Sequence, residues 1–416
     1  MGEVLIKGGV IIDGTGKGRF NGDVLVRDGK IKAVGQRLGT TGEVINADGR
    51  IVCPGFIDPH THLDAQLLFE RRGTASSWHG VTTVLTGLCG YSFAPCRPEH
   101  QDYLVRMFTR VEEMPLRVLE LGLNWTWTSF PQYLDALDKG LGINVAPLVG
   151  HSAMRYYVMG PAALERVAKP EEVRAMRGLL KESVDGGAFG FSTSRAATKM
   201  DFEKRPVPSR MASPEEVFAL SEELVGVGAT MMALNAEGTF IGLTPTDKDI
   251  IRRMVEINRK SIQTNAASRD TDFMKIIDGL GATLWSAMSS QPFYRFVNLY
   301  QGTTTFNDMD TWLAIQDRPV EERQRMFADP ELRPQLRAEL DAEAHLDPTK
   351  RRRPLLNWDI LTVAKTARPE NRHLEGLSIR ELARRQGKHM ADALLDLAVS
   401  EGLKTSFLVR LQPENE

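Results

Sequence analysis

The chain has 416 residues, longer than one average domain and short for three, so one large domain accompanied by a smaller one is expected. With 42% hydrophobic and 25% charged residues it can build a sizeable core, and no apolar run reaches the roughly 18 residues that a membrane span needs. Its 52 basic and 54 acidic residues leave a net charge of -2, which excludes the charge footprint of a nucleic-acid partner.

In chain order, the start MGEVLIKGGVIIDG is interrupted by Glu3 and Lys7 and shows no secretory pattern. Residues 1–50 read as short strands with glycine turns, in EVLIKGGVII, GDVLVRDGKIKAVG and EVINADGR. Asp28-Gly29 and Asp48-Gly49 are hairpin signals, so a small antiparallel sheet, part of a β-sandwich, is predicted.

From residue 51 the pattern alternates between apolar strand and helix. The predicted strands are 51–58, 81–88, 143–150, 188–194, 229–236, 261–268 and 282–289. Between them lie helical stretches such as PEEVRAMRGLLKESVD and SPEEVFALSEELVGVG, the second opened by a capping box at Ser213 and Glu216 with Pro214 at the first helical position. About seven such units in roughly 240 residues fit a TIM-like (β/α) barrel over 51–300 better than an open doubly wound sheet. No G-x-G-x-x-G follows the first strand, which weakens the open-sheet alternative.

After residue 290 the chain turns charged and helical, so 301–416 is predicted to be a helical, charged extension, or an insertion before a missing final strand. Its last segment, LKTSFLV, could supply one more strand, and the basic run KRRRP at 350–354 is expected to be a solvated loop. Three cysteines, Cys53, Cys89 and Cys96, are an odd number, which argues against a disulfide framework and fits the reducing cytoplasm.

The chemistry centres on GFIDPHTHLD. On a strand, residues two apart share a face, so His60 and His62 can converge at the carboxyl end of the first barrel strand, where such barrels carry their active sites. Neutral imidazole is the commonest ligand of zinc-type metals; the alternative is a pair of satisfied polar histidines at a strand end. His151, Ser192 and Arg195 also lie at strand ends and are candidates for binding substrate, Arg195 through a carboxylate. Trp78, Trp125, Trp127, Tyr156, Tyr157 and Phe93 suggest an aromatic pocket, and LNWTWTSFPQYLDAL is long enough to form part of a lid.

PGFIDPHTHLD, with SSWHGVTTVLTGLCGYSFAPCRPE, VGHSAMRYYVMG and GAFGFSTS following in order, resembles the amidohydrolase superfamily, and within it the N-acyl-D-amino-acid deacylases. The likeness covers about the first 200 residues. It implies that Cys89, in the turn TGLCG, is a third metal ligand, and a thiolate with two imidazoles is a sensible donor set for zinc. It also implies a supporting role for Asp58 behind the histidines. Cys53 and Cys96 are read as buried structural thiols.

The likeness then breaks. Where the deacylases carry histidines on the fifth and sixth strands, this chain has Ala233 and, near the sixth position, Asn265, so one metal rather than two is expected. The eighth-strand motif S-D-x-G-A-H, whose aspartate is ligand and general base in those enzymes, does not occur. Within the chain Glu237 is the remaining candidate base.

A barrel short of its eighth strand leaves unpaired edges, and a small sheet without its returning strands buries little. A second, smaller polypeptide supplying the strand, the aspartate and the rest of the small sheet is therefore expected. This chain would be the large part of a split amide hydrolase. The alternatives are a truncated chain, a barrel closed by LKTSFLV, or a catalytically inactive scaffold or ligand-binding subunit.

Overall fold

The structure, a computed structural model, describes residues 2–228, 230–237, 242–265, 270–287, 294–306, 309–316, 318–344, 358–359 and 361–410. The basic run at 350–354 lies outside the described residues. The chain divides into two compact units, one holding the residues up to Asp58 with Thr74–Val84, the other holding Pro59–Gly73 with the chain from Leu85 onward.

The first unit is built on β1 (Glu3–Ile11), β2 (Phe20–Arg27), β3 (Lys30–Gly35), β4 (Glu43–Asn46) and β5 (Ile51–Val52). Strands β2 and β3 form the predicted hairpin, because Asp28 and Gly29 both take positive φ, 52° and 74°, as a type I′ turn requires. The expected all-antiparallel sheet is corrected on the other side of β1, where β4 and β5 pair in parallel, Val4 opposite Glu43 and Val10 opposite Ile51. The crossover from β3 makes this possible, and buried Asp23 braces it by accepting from the backbone N–H of Gly8 at 2.8 Å and of Leu38 at 2.9 Å.

The predicted strand 51–58 is split by Pro54 and Gly55, and its second half is β6 (Phe56–Asp58), paired in parallel with β7 (Val81–Thr86). The boundary between the units falls inside β7, whose Leu85 and Thr86 belong to the second unit.

In the second unit follow β8 (Asn144–Gly150), β9 (Gly190–Ser194), β10 (Met231–Asn235), β11 (Ile262–Thr264) and β12 (Leu284–Ser286), all parallel and paired in chain order. The helices Pro170–Asp185, Pro214–Glu222, Pro245–Asn258 and Thr271–Gly279 make the returns. Seven strands from β6 to β12 in strict sequence, with no reversal of order, define the (β/α) barrel pattern and exclude a doubly wound sheet. Among the described residues β12 has β11 as its one neighbour and β6 has β7.

The C-terminal part departs from the predicted helical extension. Helices are present, but β13 (Tyr294–Val297), β14 (Leu361–Lys365) and β15 (Ser406–Arg410) form a three-stranded antiparallel sheet with β15 at its centre. The segment LKTSFLV thus does not close the barrel. Its alternating Phe407 and Val409 are fully buried in a core with Trp312, Phe327, Leu395 and Val363, and that burial fixes the register. No described helix is long and apolar enough to cross a membrane.

Candidate metal centre

His60 and His62 do not lie on a strand, since β6 ends at Asp58 and both histidines come after it. What orients them is Thr61 between them, buried and tied to the carbonyl of Leu85 by its amide at 3.2 Å and its hydroxyl at 2.6 Å. Cys89 comes from the turn after β7. One nitrogen of each imidazole and the Cys89 sulfur lie within 4.8 Å of one another, and Cys89 Sγ is 3.3 Å from His60 Nε2.

The cysteine turn is unusual backbone. Gly87, Cys89 and Gly90 take positive φ of 74°, 54° and 77°. A Cβ on Gly87 would stand 1.9 Å from the carbonyl oxygen of Leu148, so only glycine fits there. For Cys89 itself the left-handed conformation costs about 1–2 kcal/mol.

The turn is held by buried partners: Asp64 Oδ1 accepts from Gly87 N at 2.7 Å, and Ser192 donates to the Gly87 carbonyl while accepting from Gly90 N at 3.0 Å. Asn235 Nδ2 donates to Cys89 Sγ at 3.5 Å. Burial pushes the Asp64 carboxyl up to about 7, against the hydrogen bond from Gly87.

Three residues that the sequence did not single out surround the histidines. Gln263 on β11 places its amide nitrogen 3.1 Å from His60 Nδ1, and an amide, with a donor and an acceptor end, can serve either tautomer. Glu112, the last residue of the helix Gln101–Glu112, sets Oε2 3.4 Å from His62 Nε2. Lys199 backs it with an ion pair of 2.8 Å to Oε1. Burial alone would raise the Glu112 carboxyl, but the neighbouring His62 and Lys199 outweigh it and hold it below the ordinary carboxylate value. A buried glutamine inside the short strand IQT is a readable signal. Glu112 had none, because the end of an amphipathic helix is an ordinary place for an acid.

The missing family histidines have a structural counterpart. Ala233 on β10 is buried in an apolar cluster with Leu85, Leu88 and Leu148. Asn265 donates to Asn235 Oδ1 at 2.6 Å, and Asn235 in turn donates to Cys89 Sγ. Amides are poor zinc ligands, and among the described residues His60, His62 and Cys89 are the one group with metal-ligand spacing.

Other expectations are corrected. His151 is fully buried with Nδ1 2.8 Å from Thr193 Oγ1 and Nε2 2.8 Å from Glu216 Oε1, which leaves no ring nitrogen for substrate. The Glu216 carboxylate is engaged by His151 and Arg155, so only the Ser213 half of the predicted capping box forms. Ser192, likewise buried, serves the cysteine turn rather than substrate.

Arg195 follows β9, with its guanidinium 3.8 Å from Glu237 and 3.9 Å from Asp247. Glu237 is half exposed and faces that arginine; it is not one of the grouped metal donors. Asp58 is half-buried at the end of β6 in the first unit.

The aromatic neighbours of His62 are Tyr91 and Phe108, with ring centroids at 6.4 and 6.1 Å, whereas Trp78 is 84% exposed and Tyr156 stacks on Tyr103. The predicted lid is packed structure: Trp127 Nε1 donates to Phe93 O at 2.8 Å and Tyr133 Oη to Asp64 O at 2.9 Å. Cys96 is buried, its thiol pushed up to about 12, but Cys53 is exposed rather than structural.

The strands run in barrel order, and two imidazoles and a thiol stand at metal-ligand spacing. The profile of the amidohydrolase family matches residues 43–329, and the chain belongs to that family. It is 31% identical to an uncharacterised protein of Mycobacterium bovis, over 96% of this chain and 68% of that protein. It is 34% identical to a D-aminoacylase of Alcaligenes xylosoxydans xylosoxydans over 59% of this chain, a match spanning 47% of the enzyme's length. Among solved structures, an N-acyl-D-glutamate deacylase from Bordetella bronchiseptica, complexed with zinc and a phosphonate inhibitor, shares the fold with a TM-score of 0.59 and 21% identity, over 98% of this chain and 71% of that one.

Proposed function

We propose that this chain is a metal-dependent hydrolase of the C–N amide bond of an N-acylated amino acid or a similar small amide, with one zinc ion held by His60, His62 and Cys89. The convergence of those three donors within 4.8 Å carries the proposal. Their chemistry fits a borderline divalent metal, and the buried Nδ1 of His62, which has no hydrogen-bond partner, is a donor atom suited to it. Bound there, zinc supplies a Lewis acid for the scissile carbonyl and acidifies a water toward neutrality.

The chain's own residues then have distinct work. Gln263 fixes the His60 ring, Asn235 steadies the Cys89 sulfur, and Tyr91 and Phe108 form an apolar wall beside His62. Arg195 offers a cation for a substrate carboxylate.

The proton-transferring carboxylate is proposed to come from a second, smaller polypeptide that also adds the eighth strand. Three observations support this. Among the described residues β6 and β12 each have a single neighbour, β15 is committed to another sheet, and Glu112 is engaged by Lys199. The free cysteines suit a cytoplasmic enzyme.

The test is release of free amine from N-acetyl-D- and N-acetyl-L-amino acids by the zinc-loaded chain, alone and co-purified with the product of the neighbouring reading frame. Turnover that needs both chains and is abolished by His60→Ala supports the proposal. Metal-free protein under both conditions favours an inactive scaffold, the reading that Ala233 invites.

A further inference from the structure

We infer that the cavity between the helix Gln101–Glu112 and the segment Tyr300–Thr303 is a second ligand site, separate from the metal centre, for a small oxyanion carried on an apolar body. Carboxylate and phosphate share that chemistry. The inference does not depend on the reading of the metal centre.

The cavity has a volume of about 630 Å³, and its lining lies wholly within the second compact unit. Sites that take small molecules run from roughly 300 to 1,000 Å³. The helix itself sets this one apart from the metal centre. Arg106, Thr109 and Arg110, at i, i+3 and i+4, share the face that lines the cavity. Phe108 and Glu112, which meet His62 at a ring distance of 6.1 Å and at 3.4 Å, each follow one of those arginines by two positions. Two positions are about 200° around a helix, so the two faces point in nearly opposite directions.

The charge of the lining is one-sided. Four arginines, Arg106, Arg110, Arg117 and Arg323, stand against one acid, Glu113, which is in an ion pair with Arg295. The pairs of Arg106 with Asp102, at 3.8 Å, and of Arg117 with Glu120, at 3.5 Å, are loose and solvent-exposed. Such pairs contribute little, so both guanidiniums can turn to a ligand. A guanidinium grips carboxylate or phosphate through paired hydrogen bonds, which makes a cluster of them suited to an oxyanion. Leu116, Val320 and Phe202 add apolar surface, and Arg106 stands 4.0 Å over the Phe202 ring. That surface calls for an apolar body on the anion.

Gln316 provides an independent sign of a ligand. It is 7% exposed and lines the cavity, and its Oε1 accepts from Thr303 N at 2.7 Å. The remaining end, Nε2, is buried and has no hydrogen-bond partner, which costs stability unless an acceptor reaches it. An oxyanion in the cavity is such an acceptor. Arg323 is buried as well, and its Nη1 donates to the Leu299 carbonyl at 3.0 Å, so its charge is held in place.

The test uses the full chain as purified, at low salt, where ionic contacts are least screened. Phenyl phosphate and phenylacetate are the anionic probes, benzyl alcohol is the uncharged one, and inorganic phosphate is the anion without a body. Isothermal titration calorimetry follows binding to wild type, to the double variant Arg106→Gln/Arg117→Gln, to Gln316→Met and to His60→Ala, with circular dichroism to confirm folding.

Expected is saturation by at least one anionic probe at one equivalent, with neither benzyl alcohol nor inorganic phosphate binding as tightly; the tighter of the two probes identifies the anion. Affinity should fall about tenfold in the double variant and in Gln316→Met, the loss that removing a hydrogen bond to a charged group brings. It should be unchanged in His60→Ala. No saturable binding by either probe, or affinity that is unchanged in the double variant or in folded Gln316→Met, overturns the inference. Loss of binding in His60→Ala overturns it too, because the probes would then sit at the metal centre.

Discussion

The sulfur of Cys89 lies 3.3 Å from Nε2 of His60, although the two residues are 29 apart and come from different turns. That meeting depends on a left-handed cysteine between two left-handed glycines, a conformation that local preference opposes and only tertiary contacts can hold.

Ser192 is the main clasp on that turn. Replacing it with alanine leaves the Gly87 carbonyl and the Gly90 amide without their buried partner, which costs about 1–3 kcal/mol. Ser192→Ala is expected to lower the urea midpoint and to expose Cys89 to thiol reagents. A substrate-binding serine would instead raise KM and leave the midpoint where it was.

Gln263 predicts a separation of stability from metal affinity. Gln263→Met keeps the volume in a strand that is buried throughout but removes the amide from His60 Nδ1. Zinc affinity should fall by about tenfold to a hundredfold. Unchanged zinc affinity in a folded Gln263→Met protein would show that the amide does not govern the His60 ring.

Much of this is legible in the sequence. All seven barrel strands fall within their predicted spans, because buried parallel strands read as short apolar runs between helix signals. The helix Pro170–Asp185 coincides with its predicted stretch, announced by its proline and acidic first turn.

The failures have physical causes. The strand in LKTSFLV is legible but its sheet is not, because a strand's apolar alternation shows that it pairs but not with which partner. The alternation argument for His60 and His62 reaches the right grouping through the wrong geometry, since Thr61, not a strand, orients them. His151 looks like a site residue because strand ends of barrels carry function. Its buried carboxylate partner lies 65 positions away, where sequence spacing is silent.

His151 gives a pH dependence with a definite sign. Burial holds its pKa below the ordinary 6.5, against the pull of Glu216, so the folded state keeps it neutral while the unfolded chain takes up a proton as the pH falls through that value. Stability from this residue is therefore full above pH 6.5 and declines below it. Glu216, also depressed, adds its own loss only below its ordinary 4.5. Urea midpoints followed between pH 7.5 and 4.5 should fall less steeply for His151→Gln than for wild type; parallel curves would rule out this assignment.

Two glycines should respond in opposite ways. Gly87→Ala forces a Cβ to within 1.9 Å of the Leu148 carbonyl oxygen, and that protein should not accumulate in soluble, folded form. Gly178 sits exposed in the helix Pro170–Asp185 with open space around its Cβ position, so Gly178→Ala should stabilise by about 0.5–1 kcal/mol. Thermal melts of both variants beside wild type provide the comparison.

The most direct measurement of the whole account is a cobalt(II) titration of the metal-free chain, followed by absorption, with Cys89→Ser and His60→Ala in parallel. The account predicts saturation at one equivalent per chain with a thiolate-to-metal charge-transfer band that vanishes in Cys89→Ser and weakens sharply in His60→Ala. Binding without that band, or a band that survives both substitutions, would contradict it.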